Sequence, residues 1–531
     1  MECDPILIVG AGPSGLSLAI FLQNYNVPFR IIDKNEGIVE ESRALGIQPR
    51  TLEIFEHFGL STQILEEGQK LDSIDVYLNS KPTLSISYRG LNSKYDFPVV
   101  LAQNETEELL VKYLKKKKIA VERSSELISF EDNGDHIIAA IKNKKGITEK
   151  ARFSFVVGCD GAHSAVRHAT GSSFKGFEYP EAFSLVDVKM DSILTQNKMH
   201  IFPSDKGAMA IFPFAEKDKF RVVVSHPPSK KKPDSPNSST FTKSSLTAEE
   251  MAQFMQERGL NQFRFTKTLW LSDFHIHRRL AKQWVKNRSI LVGDAAHIHS
   301  PIGGQGMNTG IQDAWNLSWK LAFILQHNAP LSWLSTYAKE RHYTGKQVLG
   351  ISNAMTKMAT LYRPWQLKIR NFVIRNFGQR FIVPKASKKL SQLYFQYPRN
   401  VLCERDFFPL DGIPTGMNAF DYPLSTSDLF KHLDPKCFTL IIFARSSRRS
   451  IEAGLFLKKE IECAFIHCVI IALAPYAEGG VLFDPSGRCH KAYGASGEKL
   501  VLIRPDRYIA WQKEGIDARS IKSFFKDLNL T

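Results

Sequence analysis

Glycines at positions 10, 12 and 15 follow directly on an apolar run, Ile6 to Val9, and an acid, Asp33, stands eighteen residues after the last of them. Gly10 would make a tight turn, Gly12 would admit an anionic group to the backbone, and Gly15 would let a helix pack closely on a strand. Asp33 would accept hydrogen bonds from ribose hydroxyls. Residues of these types at this spacing bind a dinucleotide. A second segment, Gly158 to Arg167, carries Asp160-Gly161 with an arginine six residues on. It could close around a diphosphate, or it could be an ordinary β-turn. The third segment runs from Arg288 to Gln312. Its glycines at 303, 304 and 306 would let the backbone pass close to a flat ligand. A helix starting near Met307 would aim unpaired N–H groups, and the positive end of its dipole, at that ligand. Such a place suits a ring system that must carry negative charge. A loop of purely structural purpose is the alternative for this segment taken alone.

These residues need elements to hold them. Ile6 to Val9 read as a buried strand, Leu16, Ala19, Ile20 and Leu22 as the inward face of a helix, and Val27 to Ile32 as a second strand. Leu52, Phe55 and Leu60 mark one face of a helix closed by Gly59. Arg43 lies within chain reach of the first loop, as a diphosphate contact or a solvated arginine. Period-two runs over 71–90 and from Phe177 to Phe274 predict antiparallel strands. Between them, Asn104 and Glu107 predict a capping box for a helix carrying Leu109, Leu110 and Leu114, and Phe153 to Val157 predict a buried strand. His226 to Ser245 is a polar, proline-rich loop, and Thr247 and Glu250 predict a cap for a short helix ending at Gly259. Ala314 to Leu325 form an apolar helix. Between Arg341 and Cys403 there is no acid, but twelve lysines and arginines with Phe372, Val373, Phe377 and Phe381 among them. This segment is either a basic amphipathic helix on an anionic membrane or a helix docked on its own protein with charges outward. From about residue 404 a small α/β unit follows, with strands Phe438–Phe443, Cys468–Leu473 and Leu500–Ile503 and a final helix Ile516–Leu528.

The net charge of +16 fits anionic cofactors, membranes or nucleic acid. No nucleic-acid module is recognised, so nucleic acid is not expected as a partner. Seven cysteines without a CxxC pair fit a reducing compartment, and no His/Cys cluster has zinc spacing, so no metal is expected. No apolar run reaches the roughly 20 residues of a spanning helix, and no signal peptide precedes the first strand. A cytoplasmic protein is expected.

The three glycine segments, in this order, resemble the FAD-dependent aromatic hydroxylases. The nearest branch is that of phenol, pentachlorophenol and polyketide hydroxylases with a C-terminal thioredoxin-like domain, whose closing strand pair LVLIRPDRYIAWQ resembles. The resemblance implies an α/β protein. A Rossmann-like FAD-binding domain (1–72, 98–175 and 276–345) would carry a β-sheet substrate domain (73–97 and 176–275). A basic helical connector (346–403) would lead to a thioredoxin-like domain lacking CxxC (404–531). It implies that Gly10, Gly12, Pro13, Ser14, Gly15, Asp33 and Lys34 hold the ADP half of FAD, and that Arg43 and Gln103 touch its diphosphate and ribityl region. Asp160 would serve FAD and NADPH, and Asp294 would bind the ribityl chain. Pro301 would stand at the flavin's reactive face, while Gly304, Gly306, Met307 and Asn308 would present N–H groups to the N1/O2 edge. NADPH or NADH would reduce FAD, O2 would give a flavin C4a-hydroperoxide, and a phenolic or polycyclic aromatic substrate would be hydroxylated. Phe202, Phe212, Pro213 and Phe214 are the candidate pocket residues. Leu45 stands where some phenol-oxidising relatives carry an activating Asp, so no catalytic base is assigned. Asp506-Arg507 replaces a turn that usually reads Asp-Gly. A flavin reductase or hydroxylase acting on a membrane-borne lipid or quinone is the alternative function, with the basic segment docking it; a homodimer is also compatible with the resemblance.

Overall fold

A computed structural model describes residues 4–39, 44–78, 81–191, 194–226, 264–300, 303–404, 411–476 and 480–530, with Gln253, Met255 and Gln256. Strand β1 (Ile6–Val9) is buried along its whole length and leads through the first glycine loop into helix α1 (Pro13–Asn24). Strand β2 (Phe29–Ile32) returns beside it in parallel. A run of four aliphatic residues buried on both faces is what the middle of a parallel sheet requires. Strands β3 (Ser73–Leu78) and β4 (Lys81–Ser87) form a hairpin away from this sheet. Helix α2 (Gln103–Lys116) starts two residues earlier than the sequence implies, with Ala102 in place of Asn104 at its N-cap. Its cap is different too: the Ala102 N–H donates to Glu105 Oε2 at 3.0 Å, while Glu107 accepts from the Gln103 side chain at 2.9 Å. The buried strand expected at Phe153–Val157 is β5 (Phe155–Gly158), because Phe153 ends the preceding hairpin strand, Thr148–Phe153.

The chain then enters strands β6 (Phe174–Asp191), β7 (Lys198–Phe202), β8 (Met209–Pro213), β9 (Lys219–His226) and β10 (Arg264–Ala281). Together with the β3–β4 hairpin and the short strand His297–Ile298 they make an eight-stranded sheet, which runs His297–Ile298, β10, β6, β9, β8, β7, β3, β4. Strand β11 (Ser289–Leu291) rejoins the first sheet, whose order is Val285–Lys286, β11, β5, β1, β2. Two sheets are thus joined by chain that crosses between them several times. The expected cap at Thr247 and Glu250 falls outside the described residues.

Helix α3 (Gly306–Gln326) lies against α1 and is buried over most of its length. Helix α4 (Trp333–Ala359) packs on it, and helices α5 (Pro364–Phe377) and α6 (Val383–Leu390) follow, linked by a π-turn over Gly378–Ile382. The last sheet has β12 (Phe438–Ala444) at its centre, parallel to β13 (Ile466–Ala472), with β14 (Val481–Phe483) parallel beyond it. On the other side β15 (Lys499–Ile503) and β16 (Ile509–Glu514) run antiparallel, and helix α7 (Ala518–Asp527) closes the chain.

A buried charge network fastens this last unit to α3 and α4. Glu340 on α4 accepts from Lys320 on α3 at 2.8 Å and from both terminal nitrogens of Arg504 at 2.6 and 3.0 Å. Arg504 also holds Asp506, and none of these four charged side chains reaches solvent. Two cations and two carboxylates neutralise one another, which is the condition for burying them at all. The same turn explains its departure from Asp-Gly. Arg507 adopts a left-handed backbone (φ +66°) and stacks its guanidinium on Phe430, 4.2 Å from the ring centre.

Candidate functional site

The first glycine loop has no room for a side chain at Gly10 or Gly15. A Cβ on Gly15 would lie 1.9 Å from the Gly10 carbonyl oxygen, and one on Gly10 would lie 2.4 Å from that of Cys159. At Gly12 the corresponding space is open, and Gly12, Pro13 and Ser14 line a cavity of about 1950 Å3. Asp33 braces this loop: its Oδ2 accepts the Ala11 N–H at 2.7 Å and its Oδ1 accepts that of Asn35 at 2.8 Å. An ionised carboxylate has about four acceptor sites, so these two bonds leave others unused, although Asp33 itself is not among the residues lining the cavity. Arg123, which the sequence reading did not single out, lies 3.7 Å from Asp33. Lys34 is exposed and does not line the cavity.

Ser14, Gly293 and Gly310 bring the first and third segments together. A Cβ at Gly293 would lie 2.5 Å from the Ser14 hydroxyl oxygen, and one at Gly310 would lie 2.3 Å from it. Only glycines allow α1, the turn at Gly293–Ala295 and α3 to meet this closely. Asp294 is exposed on that turn and lines the cavity.

The second segment divides differently from expectation. Asp160 Oδ2 accepts the Val166 N–H at 3.2 Å, Oδ1 is buried without a partner, and burial pushes the carboxyl's pKa up. The Arg167 guanidinium is turned inward. It donates to the carbonyls of Ala295 at 3.0 Å and Ala162 at 2.8 Å and lies over Phe174, so it ties two loops together instead of facing a diphosphate.

Asn308 is fully buried and its side chain makes three bonds across the third segment. Its Nδ2 donates to the carbonyls of Gly46 and Gly304, both at 2.7 Å, and its Oδ1 accepts the Gln48 N–H at 2.8 Å. Gln305 donates to the Gly303 carbonyl at 2.8 Å and is itself bonded by Gln392 at 2.6 Å. The loop is therefore held from two sides by side-chain amides, of which the sequence pointed to Asn308 alone and only for its backbone N–H. No side chain caps α3, so the first-turn N–H groups of Gly306, Met307 and Asn308 have no side-chain partner. Gly304, Gly306, Met307 and Gln103 line the cavity, whereas buried Asn308 is not among its lining residues. Arg43 and Pro301 lie outside the described residues.

His299 stands beside this helix start. A Cβ on Gly306 would be 3.5 Å from its ring. Its Nδ1 is 3.2 Å from the Ser300 carbonyl, and its Nε2 is buried without a partner in the cavity wall. Burial, with neighbouring His297, pushes its pKa down to about 4.

Opposite the glycines the cavity is floored by one face of the eight-stranded sheet. Alternation selects Ile74, Val76, Leu84, Ile86, Met199, Ile201, Ala210 and Phe212. Of the four aromatic and proline candidates, only Phe212 is on this face. Phe202 and Pro213 belong to the other phase of their strands, where Phe202 stacks on Tyr77 at 4.5 Å between ring centres. Phe214 lies past the strand end, buried between Lys219 and Arg221. Leu45 lines the cavity.

Residues 4–352 match the family described as FAD binding domain. YhjG of Bacillus subtilis, named as an uncharacterized aromatic compound monooxygenase, is 33% identical over 95% of this chain and 93% of its own. The chain belongs to the FAD-dependent aromatic hydroxylases. Another relative, the 6-methylpretetramide 4-monooxygenase of Streptomyces rimosus, is 32% identical over 67% of this chain, the match spanning 62% of that protein. The flavin-dependent monooxygenase PieE, solved with FAD and substrate, shares the fold over 99% of both chains, with TM-score 0.80 at 19% identity. The residues of this hydroxylase fit FAD. The first loop excludes every Cβ where a helix must approach, Gly12 is open towards the cavity, and an uncapped helix start faces the same space. Ligand clefts typically hold about 300–1,000 Å3, so the cavity has room for a dinucleotide and a second molecule.

Proposed function

We propose that this hydroxylase inserts one oxygen atom from O2 into a phenolic ring of a polycyclic aromatic substrate, with NADPH or NADH as electron donor. The observation that carries this reading is the single cavity running from Gly12 past the start of α3 to the apolar sheet floor. The finer architecture follows from the same reading. The FAD-binding domain comprises 1–72, 98–175 and 276–345, the β-sheet substrate domain 73–97 and 176–275, and the connector 346–403. The parallel–antiparallel order around β12 supports a thioredoxin-like domain over 404–531.

Gly10, Gly12, Pro13, Ser14 and Gly15 would hold the diphosphate of FAD, and Asp33 the ribose. Gln103 and Asp294 would face its ribityl chain. The N–H groups of Gly306, Met307 and Asn308 would meet the ring edge that turns negative on reduction. When bound there, FAD supplies the activation of O2 with electrons from the nicotinamide. The chain's own work is to hold and to exclude. Asn308, Gln48 and Gln305 fix the loop before any ligand arrives. Leu45 and the aliphatic floor exclude water, which suits an oxygen-transfer step that water would abort. Burial holds His299 neutral at pH 7, its pKa pushed down to about 4, so with Nδ1 donating to Ser300 its Nε2 would accept a hydrogen bond from a substrate hydroxyl and would not take its proton. A reductase acting on a lipid or quinone gains no support from the relatives, which are named as monooxygenases.

The test is coupling. Purified FAD-loaded protein should oxidise NADPH faster when a hydroxyanthraquinone is added, with hydroxylated product matching the NADPH consumed. Hydrogen peroxide alone, for every polycyclic and monocyclic phenol tried, would defeat the oxygen-transfer reading.

A further inference from the structure

Helix α5 presents an apolar stripe to solvent. Trp365, Ile369, Phe372 and Val373 fall within about a third of a turn of one another, and the first three are 58%, 56% and 61% exposed. The opposite side of the same helix is fixed: Ile374 and Arg370 are buried, and both line the cavity. Gly378, just after the helix, sits so close to Leu84 of β4 that a Cβ there would lie 2.7 Å away. The stripe therefore faces outward because its back is seated on the sheet. Phe372, Phe377 and Phe381 continue it as a row of rings with centroids 6.2 Å apart at each step. Phe381 is 53% exposed and also lines the cavity, as does exposed Lys385, so the apolar row runs to the cavity mouth. Exposed Lys368, Arg375, Arg380 and Lys388 flank it, and the 341–403 segment contains no acid.

We propose that the α5–α6 face docks on an anionic lipid bilayer. Trp365, Ile369, Phe372 and Phe381 would enter the interfacial layer while the flanking cations meet lipid phosphates, a division of labour suited to a surface-lying amphipathic helix. Charge decides the occupant. A second copy related by a twofold axis would bring the same patch against itself, cation on cation, whereas an anionic surface neutralises every charge on the rim. Docking sets the cavity mouth on the lipid, so an apolar aromatic dissolved in the membrane passes along Phe381 to the floor without crossing water. Only this consequence rests on the hydroxylase reading; the docking itself does not.

The experiment is co-sedimentation of the full FAD-loaded chain with vesicles rich in phosphatidylglycerol and with vesicles of phosphatidylcholine alone. Binding to the anionic vesicles that weakens in high salt is expected. K368E/R375E and I369S/F372S should each lower the partition coefficient by about tenfold or more, with FAD content unchanged as the folding control. The proposal is overturned if anionic vesicles do not pull the protein down, or if binding survives both variants. It is also overturned if the wild type is a dimer that ignores vesicles and I369S/F372S makes it a monomer.

Discussion

Replacing Asn308 by alanine removes a side chain that touches no reacting atom but organises the loop that should. Its three hydrogen bonds, to Gly46, Gly304 and Gln48, are all between 2.7 and 2.8 Å and fully shielded from solvent. A buried hydrogen bond contributes about 1 kcal/mol net, and a partner left unpaired costs about 1–3 kcal/mol. Gly46 and Gly304 line the cavity, so water can reach their carbonyls after the deletion. The lower end of that range then applies, about 3 kcal/mol in all. If the bonds hold the loop in its FAD-binding shape, this loss appears as affinity, about two orders of magnitude in Kd. The assay is titration of apoprotein with FAD, following the quenching of flavin fluorescence, with thermal unfolding of the apoprotein measured in parallel. N308A binding FAD within about threefold of wild type would refute the claim that this amide preorganises the cradle.

Three other substitutions probe separate parts of the account. F212A should raise KM for a polycyclic phenol with little change in stability, whereas F202A, on the opposite face, should cost about 3–5 kcal/mol of stability and leave KM nearly unchanged; equal effects on KM would contradict the assigned faces. H299A should lower kcat by about tenfold, the loss of one hydrogen bond to the substrate, while FAD stays bound. Because the neutral imidazole is the competent form, wild-type kcat should fall as pH drops through about 4, and H299A should lack that limb; a limb surviving in H299A would assign it elsewhere. E340L leaves Lys320 and Arg504 buried without their shared carboxylate and should destabilise the protein by about 3–5 kcal/mol; an unchanged Tm would mean that the network does not fasten the last unit to α3.

The strands and glycine loops were legible because their signals are local. Ile6 to Val9 can be nothing but a buried strand, and a glycine three residues before a helix start advertises itself. The sheet floor was half legible. Its alternation was visible, but choosing between the two phases needs the partner layer, and Phe202 and Phe212, the same residue type, fall on opposite faces. Arg167 shows the same limit for charge: its type and spacing suit a phosphate, but a carbonyl from a turn 128 residues away and that of nearby Ala162 claim it first. Asn308 was expected to act through its backbone, and its side chain proves to be the connector between two distant segments. Lys320, Glu340 and Arg504 carried no signal at all, since each is an ordinary surface type whose neutralising partner lies 20 or 164 residues off.

The most direct test is a crystal structure of the FAD-loaded protein. The account predicts the diphosphate at Gly10–Gly15 and the N1/O2 edge of the flavin within hydrogen-bonding distance of the Gly306–Asn308 N–H groups, with the ring facing the Phe212 floor. A flavin bound elsewhere, or an α3 N-terminus turned away from its ring, would contradict it.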